Sequence, residues 1–205
     1  MTTICVYIAT EDQLSEVVLR RILRDIPNIE VGLALRRGGY GYLLRNICSW
    51  NRTARGIPFL VLTDLDQSPC ASALIANWLG QHTRHPNLLL RVAVREVEAW
   101  LLADLDRLAK FLQVKDAQIL ENPDDLDDPK ATLVQLARRS RLSTIREDIV
   151  RIRGGTSKQG PNYNGTLCRF VEDFWNPADA RRNSPSMDRA ILAIEALRLR
   201  QLPND

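Results

Sequence analysis

The sequence predicts an α/β fold: a Rossmann-like, four-stranded parallel sheet with helices on both faces and a C-terminal helical appendage. Three observations carry this. Four short apolar runs alternate with segments of helical periodicity. Each run is bounded by turn-forming or acidic residues. The last ninety or so residues show helical spacing without a further apolar strand run.

Ile4 to Ala9 reads as the first strand. It is followed by Thr10-Glu11-Asp12 and a helix marked by Leu14, Val17, Val18, Ile22 and Ile26. Thr10 with Gln13 forms a capping box on paper, which would place Glu11 in the first helical turn. Pro27 and Asn28 end that helix, and Ile29 to Leu35 is a second strand. Arg36-Arg37-Gly38-Gly39-Tyr40-Gly41 reads as a turn with basic character ahead of a helix around Leu43 to Trp50. It is not a dinucleotide fingerprint, because Leu44 stands where the third glycine belongs.

Phe59 to Leu62 is the third strand, followed by Asp64 and Asp66. In an extended chain, residues two apart face the same way, so both carboxylates would point beyond the strand's carboxyl end, where open α/β sheets bind ligands. Ser68-Pro69 suits a cap and first position for the helix Ala71 to Leu79, which leaves the aspartates free of a capping duty. Leu88 to Val94 is the fourth strand, and Glu96 and Glu98 repeat the same two-apart spacing after it. The first and third strands are the most uniformly apolar, so right-handed crossovers allow the order two-one-three-four.

Past Ala99 a helical pattern runs towards Val114, and further helices are expected near 131–141, 143–152, 165–175 and 186–202. The expected division is 1–112 for the α/β domain and 113–205 for the helical region. The acidic, proline-bounded stretch 121–129 reads as a solvated loop. Arg151, Arg153 and Lys158 lie in a polar glycine-containing stretch and are candidates for meeting a nucleic-acid backbone, with a flexible linker as the competing reading.

Bulk properties narrow the chemistry. The chain has 205 residues, 45% of them hydrophobic and 26% charged, ordinary for a globular protein, and a net charge of +3 that does not announce a nucleic-acid binder. With no long apolar run and no leader pattern, a cytoplasmic location without membrane association is expected. Cys5, Cys48, Cys70 and Cys168 are scattered, and His82 and His85 are the only histidines. That disfavours a disulfide framework, a zinc site or a Ser-His-Asp triad. Carboxylates recur at the ends of three of the four strands, and clustered carboxylates are hard oxygen ligands suited to Mg²⁺ or Mn²⁺. Such ions act on phosphate esters, so metal-dependent phosphodiester hydrolysis is the expected reaction class.

A strand ending in Glu11, a later one ending in Asp64-Leu65-Asp66 and the four-strand layout resemble the TOPRIM fold of topoisomerases, primases and OLD-type nucleases. The segment from Arg95 to Asp104, the Asp128-Pro129-Lys130 stretch and Ser184-Pro185-Ser186 resemble a bacterial family of uncharacterised TOPRIM-like proteins along nearly the whole chain. The resemblance implies Glu11 as catalytic acid/base or metal ligand, Asp64 and Asp66 as Mg²⁺ (or Mn²⁺) ligands, and Glu98 or Glu96 as a further ligand. It also implies a nuclease acting on DNA ahead of RNA, in defence against phage or plasmids with an ABC-type ATPase partner. Homo-oligomerisation stays open. Asp12 stands where the family usually has glycine. Two other readings compete: a TOPRIM-shaped regulatory partner of an ATPase without catalysis, and a haloacid-dehalogenase-like phosphatase. The second ranks lower, because its Asp-x-Asp normally ends the first strand and is not followed by Gln67-Ser68.

Overall fold

The structure, a computed structural model, describes residues 3–115, 122–150 and 159–202. Four parallel strands, β1 (Ile4–Thr10), β2 (Ile29–Leu35), β3 (Phe59–Asp64) and β4 (Leu88–Ala93), are ordered β2-β1-β3-β4, as the apolar runs predict. β3 is buried along almost its whole length, whereas β2 alternates and leaves Leu33 exposed, as expected of a central and an edge strand. The β1–β2 register slips between Val6 and Tyr7, with Gly32 as the extra residue. A side chain there would run into Cys5 Sγ, so the bulge depends on glycine.

Helices cover both faces. On one side α2 (Gly39–Thr53) and α3 (Ala71–Leu79) pack over Phe59, Val61, Leu88 and Leu90. On the other, α1 (Gln13–Arg24) and the helices after β4 share a core with Ile8, Leu60 and Leu62. Those later helices are α4 (Glu98–Leu102), α5 (Leu105–Leu112), α6 (Pro129–Arg138), α7 (Ser143–Ile149), α8 (Tyr163–Asp173), α9 (Pro177–Ala180) and α10 (Pro185–Gln201). One continuous core therefore joins the sheet to the helical region: α8 lies against α1, α6 against α4, and α10 along β4.

Several local expectations change. The single helix expected after Ala99 is two, α4 and α5, separated at Ala103-Asp104. α2 starts at Gly39, earlier than the apolar spacing suggested, with Gly38 at a positive φ of 82° before it. The cap of α3 is Cys70, whose Sγ accepts from the Ala73 N–H at 3.4 Å, not Ser68. The acidic stretch is not simply a solvated loop. Asp124 accepts from the Ser184 hydroxyl (2.7 Å), the Ser186 N–H (2.7 Å) and the Ser186 hydroxyl (3.1 Å), and Trp100 Nε1–H donates to Ser186 Oγ at 2.8 Å. This network pins the start of α10 to α4, the helix that begins with Glu98. Among the described residues no helix is long and apolar enough to cross a membrane.

Asp124→Ala leaves three donors without their charged acceptor. We expect a loss of about 2–3 kcal/mol in chemical denaturation, or about 5–10 °C in melting temperature. An unchanged midpoint would show that α10 is held by apolar packing alone.

Candidate functional site

The site stands at the carboxyl ends of β1 and β3, adjacent strands whose pairing aligns Thr10 with Leu62. Glu11 follows β1 directly. Its Oε1 accepts a short hydrogen bond from the Thr63 hydroxyl and another, at 3.2 Å, from the Asp64 N–H. Asp64 closes β3, and its Oδ1 accepts from the Val97 N–H at 2.9 Å, tying the strand end to the turn that opens α4. Both hydrogen bonds to Glu11 fall on one oxygen and Asp64 uses one, which leaves Glu11 Oε2 and Asp64 Oδ2 for a further ligand.

The cap of α1 differs from the one expected. Asp12, not Thr10, is the cap: its Oδ1 accepts from the Ser15 N–H at 2.8 Å, while the Thr10 hydroxyl donates to the Asp12 carbonyl. Glu11 is thereby free of the helix and turned to β3. Asp12 has an ordinary extended backbone, φ −140°, so glycine is not required at this position.

Nor do Asp64 and Asp66 face one way as alternate strand residues. β3 stops at Asp64, Leu65 turns into the core, and Asp66 has a φ of 47° with an exposed side chain. Asp66 is held by its backbone, its N–H on the Arg95 carbonyl (3.1 Å) and its carbonyl accepting from Arg95 Nη1 (3.1 Å). Its charge still reaches both Glu11 and Asp64.

Glu96 and Glu98 meet each other, but over a lysine. Lys130 Nζ lies 3.4 Å from Glu98 Oε1 and 3.6 Å from Glu96 Oε1, and the Lys130 N–H donates to Glu96 Oε2 at 3.1 Å. Glu98 is 2% exposed, and its Oε1 also accepts from the Tyr163 hydroxyl at 2.9 Å. The five predicted acids thus divide into Glu11, Asp64 and outlying Asp66 on one side and the Lys130-bound Glu96–Glu98 pair on the other. Lys130 and Tyr163 were not singled out from sequence. The one available signal was that Lys130 is among four lysines in an arginine-rich chain and follows the Asp128-Pro129 helix start. Arg151, Arg153 and Lys158 lie outside the described residues.

Electrostatics follows this division. Burial, then the charges of Glu98, Glu11, Asp12 and Asp66, holds the Asp64 carboxyl well above the usual carboxylate range. Burial also raises Glu11, against the lowering effect of its Thr63 and Asp64 hydrogen bonds, with Asp66 and Asp12 adding to the rise. Glu98 is raised by burial, partly offset by Lys130. Burial works against the Lys130 charge, but Glu98, Glu96 and Asp64 overcome it and the ammonium is held more firmly than usual.

Among the described residues no group of three or more His, Cys, Asp or Glu is arranged to hold a metal ion. Two neighbouring carboxylates with free oxygens nevertheless fit Mg²⁺, which commonly binds through one or two carboxylates together with substrate phosphates and water. The crowding of negative charge at Asp64 is of the kind a divalent cation relieves.

No protein-family model matches the chain, and no curated protein does. Among solved structures, the chain is similar to the C-terminal region of the Burkholderia pseudomallei OLD protein, with a TM-score of 0.44 and 14% identity over 92% of this chain and 98% of that one. It is also similar to the Salmonella typhimurium RcsB response regulator, with a TM-score of 0.28 and 18% identity over 99% and 95%. At these values neither likeness bears on the site, which rests on the chain's own geometry.

Two outcomes test this geometry. A carboxyl whose folded pKa is raised binds its proton more tightly in the folded state, so the fold gains stability as pH falls through that raised value towards the ordinary range and loses it as pH rises. Asp64→Asn mimics the protonated form and keeps the acceptor for Val97. In metal-free buffer its melting temperature should exceed the parent's at pH 7.5, with the gap closing as pH is lowered through the raised Asp64 pKa; a variant less stable than the parent at pH 7.5 would contradict the role given to burial. Lys130→Met leaves Glu98 buried without its cation and should cost about 3 kcal/mol in denaturant unfolding, the low end for a broken buried pair because Lys130 is itself partly exposed.

Proposed function

We propose that the chain is a divalent-metal-dependent nuclease that hydrolyses phosphodiester bonds. One observation carries the reading: Glu11 and Asp64 sit side by side at the carboxyl ends of adjacent parallel strands, where open α/β sheets bind ligands, each with an oxygen left over. Glu11, Asp64 and, by a turn of its exposed side chain, Asp66 would hold the ion. When bound, a hard divalent cation polarises a phosphoryl oxygen and lowers the pKa of a bound water.

The chain's own residues do the remainder. Thr63 and the Asp64 N–H orient Glu11 through one oxygen, so the other is fixed in direction. Burial raises the proton affinity of Glu11 while no ion is bound, and in holding a cation that carboxyl would return to its charged form. Lys130, anchored by Glu96 and Glu98, places a permanent positive charge felt at Asp64, and on this reading the glutamates position that ammonium and do not ligate metal themselves.

The resemblance to TOPRIM-like bacterial proteins supports extending the proposal to defence with an ABC-type ATPase partner, with DNA as the first substrate to try. The non-catalytic alternative drew its support from Asp12 in place of glycine. Asp12 serves as a helix cap with ordinary backbone geometry, which removes that support.

With Mg²⁺ or Mn²⁺ the parent should nick plasmid DNA, and Asp64→Asn and Glu11→Gln should each lower the single-turnover rate by about 10³-fold, several kcal/mol of lost transition-state stabilisation. Chelation should abolish the parent's cleavage. Cleavage by Asp64→Asn at the parent's rate would refute the assignment.

A further inference from the structure

Arginines without an ion pair occur on several faces among the described residues, Arg24, Arg45, Arg138 and Arg169 among them, but on one edge they stand in a row. Arg20, Arg21, Arg36, Arg107, Arg181 and Arg182 each lie within ion-pair distance of a carboxylate. Along the edge built by β4 and α10, among the described residues, Arg84, Arg91, Arg189 and Arg200 follow one another without an ion pair, and Arg52 and Arg55 at its lower end also make none. Arg91 instead has Arg84 and Arg189 as its charged neighbours.

These side chains form a line. α10 starts beside Asp124, near the carboxyl ends of the strands, and ends beside the start of β4, where Arg200 Nη2 donates to the Pro86 carbonyl at 3.1 Å and Gln201 Nε2 to Asn87 Oδ1 at 3.0 Å. Between these ends Arg91 Nη1 donates to the Arg189 carbonyl at 3.5 Å. Arg189 and Arg200 are eleven residues apart, three helical turns, so they share a face about 16 Å long.

At the upper end Arg189 and Arg95 line a cleft of about 560 Å³, and Arg95 contacts the Asp66 backbone. Asp124, Asp125 and Asp127 also line that cleft, three acids to two arginines, with Asp124 engaged by Ser184 and Ser186. At the lower end Pro86 borders a cavity of about 520 Å³ lined by Arg52, Arg55, Arg84, His82 and His85, with no Asp or Glu in its wall. Its shape is fixed by buried Asn51, which donates to the Thr83 carbonyl (2.9 Å) and accepts from the His85 N–H (2.7 Å).

We propose that this edge is a nucleic-acid backbone track, along which a phosphodiester chain at the carboxylate site runs past Arg95, Arg189, Arg91 and Arg200 into the Arg52–Arg55–Arg84 cavity. The proposal rests on the nuclease reading for its choice of ligand and deepens it by giving the substrate a direction. A row of like positive charge attracts a polyanion, and guanidinium matches phosphate through paired N–H donors. A compact anion would need only the lower cavity; the continuation along α10 is what selects a polyanion.

The test is the binding of a fluorescein-labelled 20-base-pair DNA duplex, followed by anisotropy in EDTA so that nothing is cut. The triple variant Arg52→Ala, Arg55→Ala, Arg84→Ala should bind at least about tenfold more weakly than the parent, with a slope of log affinity against log salt shallower by about 2–3. The corresponding triple lysine variant, which keeps the charge, should recover most of the affinity and so separate charge loss from misfolding. Equal affinity and slope in the alanine variant, no duplex binding by the parent, or full displacement of duplex by millimolar inorganic phosphate at constant ionic strength would each overturn the track. If only the nuclease reading fails, the parent binds duplex with this salt dependence and cuts none with Mg²⁺ or Mn²⁺. If only the track fails, the alanine variant binds and cuts as the parent does.

Discussion

Glu11 reaches from the end of β1 to the last residues of β3, and the candidate site depends on that contact. It exists because the two strands are adjacent and parallel, so both present their carboxyl ends at one edge of the sheet. The donors it accepts from are Thr63, a buried strand residue, and a backbone N–H, neither of which can move without disturbing the sheet. A carboxylate fixed in this way is costly, since burial and like charges both oppose its ionisation and that of Asp64. The remainder of the fold supplies the stability to sustain that cost, through two apolar cores on either face of the sheet.

The helical region is part of the site. Lys130 at the start of α6 and Tyr163 at the start of α8 both act on Glu98, and the Asp124–Ser184–Ser186–Trp100 network holds α4 against α10. The turn carrying Glu96 and Glu98 is therefore clamped from three later helices. Glu96 and Glu98 follow their strand much as Asp64 and Asp66 follow theirs, yet they play a different part because they already have a lysine between them. Sorting the acids by partner separates carboxylates available to a cation from those satisfied within the chain.

The sheet was legible in the sequence because its strands are short apolar runs whose hydrophobicity ranks them from centre to edge, and Phe59 to Leu62 is buried as that ranking requires. The meeting of Glu11 with Asp64 followed from strand order. What failed was geometry beyond the strand ends. The two-apart rule holds only for extended backbone, and positive φ at Asp66 and Arg95 breaks it. At α1 the cap is Asp12, through its bond to Ser15, in the place expected for Thr10. Lys130 and Tyr163 reach Glu98 across 32 and 65 residues of chain, and apart from the rarity of lysine and the helix start before Lys130 the local pattern carries no trace of such contacts. The arginine edge was hidden for the same reason, since its members come from α2, the segment before β4, β4 itself and α10, far apart in the sequence.

The central claim is that Glu11 and Asp64 jointly hold a divalent cation. An anomalous difference map from a crystal soaked in Mn²⁺ tests it most directly. The expected result is a peak about 2.2 Å from an oxygen of each residue, with Lys130 still seated on Glu96 and Glu98. A peak on the Glu96–Glu98 pair with Lys130 displaced, or none beside Asp64 at saturating Mn²⁺, would contradict it.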